Sequence, residues 1–144
     1  MPSFNATTVL QIDVSLGDHL HVGYTSESTY TKVIPITGGT FSCPDGRHGD
    51  VVPGGADWNE LIDGHVSHVY AKYCLRSSTG DIIIIDNEGR SDKNHPFPTL
   101  RTTPHFTVAR DGSFADLACG TYAASLEDSP VFSPGKRIVV QRLL

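Results

Sequence analysis

Apolar residues recur at every second position in short runs along this chain, and glycine or proline breaks the runs, a pattern that predicts β-strands with one buried face. In Thr8 to Ser15, Leu10, Ile12 and Val14 fall on one face, and a Gly17-Asp18 turn leading into His19 to Tyr24 predicts a first hairpin. A third strand spans Tyr30 to Ile36, with Pro35 marking an edge or a bulge because proline cannot donate to a ladder. The clearest hairpin joins Val66 to Arg76, through Ser78-Thr79-Gly80-Asp81, to Ile82 to Glu88. After a loop from Gly89 to Pro98 come strands at Leu100 to Val108, Leu117 to Leu126 and Arg137 to Leu143. No run carries a helical period. Thr37 to Gly64 interrupts the pattern with Gly38-Gly39, Gly46, Gly49, Pro53-Gly54-Gly55 and Asp63-Gly64, which demand special backbone conformations.

About eight or nine short strands and no internal repeat point to an all-β fold, with the 144 residues forming one domain over 1–144. Sequential hairpins favour a closed antiparallel up-and-down β-barrel of the calycin or lipocalin kind over a Greek-key sandwich, because closure removes sheet edges. The run Ile82 to Ile85 places apolar side chains on both faces of its strand, so burial on each side, and hence a homodimer, is expected.

Charge and composition narrow the partners. The net charge is −5 and the 11 Lys and Arg are scattered, so no basic stripe is present to neutralise nucleic acid. The longest apolar run is far too short for a membrane-spanning helix, and the first residues lack a charged-then-apolar leader, so a cytoplasmic protein without a membrane partner is expected. Cys43, Cys74 and Cys119 are odd in number without CxxC spacing and read as reduced core thiols. Seven histidines include His19-Leu20-His21, yet no metal-ligand motif such as HExxH occurs, and no metal is expected. Neither a GxSxG elbow nor a glycine-rich phosphate cradle is present, so the reading calls for no nucleotide or other cofactor.

The most distinctive residues are Pro35-Ile36-Thr37-Gly38-Gly39-Thr40-Phe41, then Val52-Pro53-Gly54-Gly55-Ala56-Asp57-Trp58, then Asp63-Gly64. Their order and spacing resemble the PI-x-GG-x-F and PGGADW signature of the domain-of-unknown-function 3237 family. The resemblance extends through Ala71-Lys72-Tyr73, Gly89-Arg90 and Arg101-Thr102-Thr103-Pro104-His105-Phe106. It departs at Ala115-Asp116-Leu117-Ala118, where a Trp-Leu-Asn stretch is usual, and at Thr107, where Glu is usual, so a role resting on those two places does not carry over. The resemblance implies a small antiparallel barrel. Because relatives occur beside genes of aromatic-compound breakdown and natural-product assembly, it also implies work on a polyketide-like, aromatic or terpenoid small molecule.

Read as chemistry, Gly54-Gly55 can turn Asp57 and Trp58 toward a barrel mouth, where a carboxylate beside an indole suits a general base in an apolar pocket. Otherwise Asp57 caps a turn and Trp58 plugs the barrel end. Arg101 either holds a carboxylate, phenolate or enolate or pairs with a protein acid. In the long strand, His68, Tyr70 and Lys72 share one face and Val69, Ala71, Tyr73 and Leu75 the other, and the sequence does not say which lines the cavity. Asp57, Arg101 and Lys72 are the candidate catalytic residues, and Trp58, His68, Tyr70, Tyr73, His65 and His105 the candidate binding residues for a hydrophobic substrate. The expected function is a cofactor-independent isomerase or cyclase, since holding a flexible precursor in a near-attack geometry lowers a barrier by about 7–11 kcal/mol in the best cases. A non-catalytic carrier makes nearly the same demands, and a hydrolase or lactonase of aromatic metabolism is a third reading.

Overall fold

Strand-forming alternation becomes strand wherever the chain can close on itself. The computed structural model describes residues 3–144. Among them run nine strands, β1 (Ala6–Leu16), β2 (Leu20–Tyr24), β3 (Thr29–Ser42), β4 (His48–Ile62), β5 (Val66–Ser77), β6 (Ile82–Asp92), β7 (Leu100–Thr107), β8 (Tyr122–Asp128) and β9 (Gly135–Leu143), plus one 3₁₀ turn at Ala115–Ala118. All pairings are antiparallel, in the order β1-β9-β8-β7-β6-β5-β4-β3-β2, and β1 also pairs with β3. That last pairing closes eight strands into an up-and-down barrel and leaves β2 as an extra strand outside the ring.

The expected first hairpin does not form. β1 and β2 instead lie end to end along one edge of β3, β1 against Ile36 to Ser42 and β2 against Tyr30 to Val33. The chain bends between them at Gly17, whose N–H donates to the Pro35 carbonyl at 2.9 Å. Pro35 therefore sits at the break between the two ladders, where its missing N–H leaves no rung empty, in keeping with the edge-or-bulge expectation.

The glycine-rich middle is strand, not loop. It supplies the second half of β3 and all of β4, with irregular register between Ile36 and Thr40 on β3 and between Val52 and Ala56 on β4. These facing bulges turn the sheet sharply enough to close. At Gly39, with φ +140°, a side-chain carbon would lie 3.0 Å or less from the Asp13 carbonyl and the Val14 backbone, so glycine alone lets β3 cross β1. The strand expected over Leu117 to Leu126 is likewise corrected: the 3₁₀ turn takes its first part and β8 starts at Tyr122.

One end of the barrel is filled by Leu10, Ile12, Phe41, Leu75, Ile83 and Phe114, all buried. Of the isoleucine run, Ile83 and Ile85 point into this core while Ile84 is half-buried outside and Ile82 is 46% exposed, so a homodimer through that outer face remains a proposal. All three cysteines are free, but only Cys43 is buried, and burial pushes its thiol up to about 11. Cys119 is exposed, which corrects its reading as a core thiol. No helix of the described residues is long and apolar enough to cross a membrane.

Candidate functional site

The other end of the barrel is hollow. Strand alternation turns Ser67, Val69, Ala71 and Tyr73 of β5 inward, and with them the inner faces of β1, β3, β4, β6, β7, β8 and β9 enclose a cavity of about 330 Å³. Its walls are largely aliphatic, including Val14, Ile34, Ile36, Val69 and Ile138. A hollow of this size with apolar walls and a few inward polar groups is the usual form of an organic-molecule site.

Three of those polar groups have no partner among the described residues: the Tyr73 hydroxyl, the Asn87 amide oxygen and the Thr102 hydroxyl. Their residues are only 3%, 4% and 4% exposed and all three line the cavity. Burial alone pushes the Tyr73 phenol well above its ordinary value, so near neutral pH it is an O–H donor. An unpaired buried polar group costs about 1–3 kcal/mol, so three on residues that line one cavity are a concentrated cost that the protein's own groups leave unmet.

Asp57 faces the same space. Across the sheet Asp57 stands opposite Ala71, and Ala71 opposite Asn87, so the carboxylate and the amide flank a small side chain on the intervening strand. Two inter-strand steps separate their backbones by about 10 Å, leaving room for a planar molecule between them. The Asp57 Oδ1 accepts the Tyr70 N–H at 3.0 Å and Oδ2 accepts the Asn59 amide at 3.2 Å, which fixes the carboxylate and leaves each oxygen with further acceptor capacity. The bulge places Tyr73 too. Pro53-Gly54-Gly55 bows opposite Tyr73, and a side-chain carbon on Gly55 would meet the Tyr73 Cβ and the Lys72 carbonyl well inside contact distance.

Several expected site residues lie elsewhere. Trp58, adjacent to Asp57, must face the other way, and it lies 53% exposed on the outer surface, neither stacked in the cavity nor plugging it. His68, Tyr70 and Lys72 share the outer face of β5, which answers the choice of face the sequence left open. His68 Nδ1 and Nε2 meet Glu60 at 2.9 Å and Glu88 at 2.5 Å, and these carboxylates raise the imidazole above its ordinary value. His105 is an exposed neighbour of Asp86 at 3.3 Å. His65 and Arg101 line a second hollow on the barrel rim, where His65 pairs with Asp92 at 2.8 Å. Of the candidate residues, the lumen thus gathers Asp57 and Tyr73.

Asn59, Asn87, Thr102 and Lys32 line the lumen and were not singled out from the sequence. A signal existed for Asn87, which continues the inward series Ile83, Ile85 as a polar residue in phase with buried ones. Thr102 is similarly in phase with buried Pro104. Among the described residues no group of three or more His, Cys, Asp or Glu side chains is gathered as a metal site would need.

The fold is shared with solved structures. A conserved protein of unknown function from Rhodopseudomonas palustris superposes with a TM-score of 0.86 at 22% identity, covering 100% of both chains. A structure described as an enzyme from Penicillium herquei superposes with a TM-score of 0.73 at 15% identity, covering 97% of each. In sequence, a UPF0311 protein of Bradyrhizobium diazoefficiens is 28% identical over 88 residues, 61% of this chain and 56% of that protein, so the match spans little more than half the relative's length. The family described as "Protein of unknown function (DUF3237)" matches residues 4–131, taking in both glycine bulges, Asp57, Tyr73, Asn87 and Thr102. The chain belongs to the DUF3237 family.

Proposed function

We propose that the barrel is a cofactor-independent isomerase or cyclase that folds a hydrophobic small molecule, of polyketide-like, aromatic or terpenoid kind, within its lumen. The observation that carries this is the trio Tyr73, Asn87 and Thr102, residues that line an apolar cavity and whose buried polar atoms have no protein partners among the described residues. In this reading Asp57 takes a proton from the bound molecule, while Tyr73 donates its O–H to the oxygen on which negative charge gathers. The aliphatic walls exclude water and hold the chain in one geometry, which is where most of the acceleration arises. The Penicillium herquei structure, described as an enzyme, supports a catalytic use of this fold. Lys72, on the outer face, has no part in this chemistry.

A carrier reading is favoured by one observation: Asp57 already serves the ladder by accepting the Tyr70 N–H. Asp57→Asn separates the two, because asparagine keeps an acceptor oxygen for that bond and loses the base. The experiment incubates the protein with lipophilic extracts or candidate precursors and follows captured mass and product together. A product formed by the wild type and lost in a folded, ligand-capturing Asp57→Asn variant supports catalysis. Equal, unchanged capture by both proteins supports the carrier.

A further inference from the structure

The lumen adjoins a second hollow with cationic residues in its lining. β6 and β7 pair only from Ile84 to Glu88 against Thr103 to Thr107. Beyond that, Gly89 to Asp92 stays with Val66 to Val69 of β5, while Leu100 to Thr102 turns to Ala124 to Leu126 of β8. The parted strands and the loop between them enclose a rim pocket of about 570 Å³. Ser67, Ser91 and Leu100 line both this pocket and the lumen, so the two spaces share a wall at the barrel mouth.

Arg90, Lys93 and Arg101 all line the rim pocket. None of the three makes an ion pair among the described residues. The one carboxylate in the lining, Asp92, is already held by His65 at 2.8 Å and by the Asn94 N–H at 2.9 Å, and these bonds keep it below its usual value and therefore occupied. In a chain of net charge −5, three cations without an ion pair among the described residues gather around one hollow, with Arg90 standing across from His68 and the carboxylates Glu60 and Glu88 that His68 holds on the outer face. Inside the lumen the charges are differently placed: Lys136 is paired with Asp128 at 2.7 Å, and Lys32 stands on the far wall, on β3.

We propose that the substrate is an amphipathic organic acid whose apolar body enters the lumen while its carboxylate is held at the rim by Arg90, Arg101 and Lys93. This rests on the lumen being the substrate site and adds the substrate's charge and its orientation. Two guanidiniums give paired, planar hydrogen bonds to a carboxylate, which a neutral head group cannot match. Phe97, 85% exposed in the loop over the pocket, offers an apolar surface to the segment of the ligand that crosses the rim. Arg101 is thereby a binding and orienting residue, in line with the carboxylate-holding role open to it from sequence.

The test compares matched acid and amide pairs, 2-naphthoate with 2-naphthamide and decanoate with decanamide, by calorimetric titration against the full chain near neutral pH. The expected result is that the acid of a pair binds about tenfold or more tightly than its amide. That preference shrinks with added salt and is lost in the Arg90→Gln/Arg101→Gln double variant, whose amide affinity is unchanged. A preference that survives the double variant and disappears in Lys32→Gln overturns the proposal by placing the anion in the lumen. Equal binding of acids and amides, weakened alike by Tyr73→Phe, overturns the rim inference and leaves the lumen reading standing. If no member of any pair binds, both fall.

Discussion

Replacing Tyr73 by Phe removes one oxygen from the ligand-free protein, and the structure predicts that the protein becomes more stable. Tyr73 is 3% exposed and its hydroxyl has no partner among the described residues, so the wild type carries the desolvation cost of an unmade hydrogen bond. That cost is about 1–3 kcal/mol, and the ring itself keeps its volume and its packing against the lumen wall. A gain of about 1–2 kcal/mol in the variant raises the melting temperature by roughly 3–6 °C for a chain of this size. Thermal and urea unfolding followed by circular dichroism measure both quantities, and an unchanged m-value shows that the unfolded state is not responsible. The same change should weaken a carbonyl-bearing ligand by about five- to tenfold, through loss of a donor in a dry site. Stability lost rather than gained, by about 1 kcal/mol or more, would refute the reasoning: it would mean that the hydroxyl holds the barrel together.

Gly55→Ala should destabilise the barrel by about 2–3 kcal/mol in urea unfolding, because the new carbon meets the Lys72 carbonyl and the Tyr73 backbone rather than a movable side-chain end. Gly54→Ala, with nothing within 4 Å but φ +117°, should lose only the backbone strain of about 1–2 kcal/mol. Asp13→Ala should cost about 2–3 kcal/mol by the same assay, since Asp13 is 6% exposed and accepts two bonds from Arg137 and one from Ser129, each at 3.0 Å. The hydroxyls of Ser113, Thr79 and Ser77, with the Ser113 N–H, lower Asp81 from 3.8 to about 2, so its contribution is full above pH 3.8 and fades as pH falls toward 2. Melting temperatures of Asp81→Asn across that window should therefore fall less steeply on acidification than those of the wild type.

The barrel could be read from sequence where alternation is regular, as in β5 and β6, because period-two patterning fixes both strand and face. It could not be read in β4, where Pro53-Gly54-Gly55 bows out of register and looks like loop chemistry until the opposite bulge of β3 is seen. The false first hairpin has a similar cause. Gly17-Asp18 does turn the chain, but the partner of both flanking strands is β3, a pairing set by closure rather than by local sequence. Asp57, singled out through its motif, lies in the lumen wall, whereas Trp58 lies outside because two successive strand residues cannot both point inward. Asn87 and Thr102 were missed because a lone polar residue in an apolar series signals a site only once its lack of partners is known.

The proposed function turns on proton chemistry at Asp57 on a molecule captured in the lumen. The most direct measurement incubates that molecule with the protein in heavy water and records its mass and structure by mass spectrometry and NMR. Proton transfer at Asp57 predicts deuterium at carbon, or a new isomer carrying it, with the wild type, and neither with Asp57→Asn although the ligand is still bound. Recovery of the ligand unlabelled and unchanged from the wild type, with capture intact, would contradict it and make the barrel a carrier.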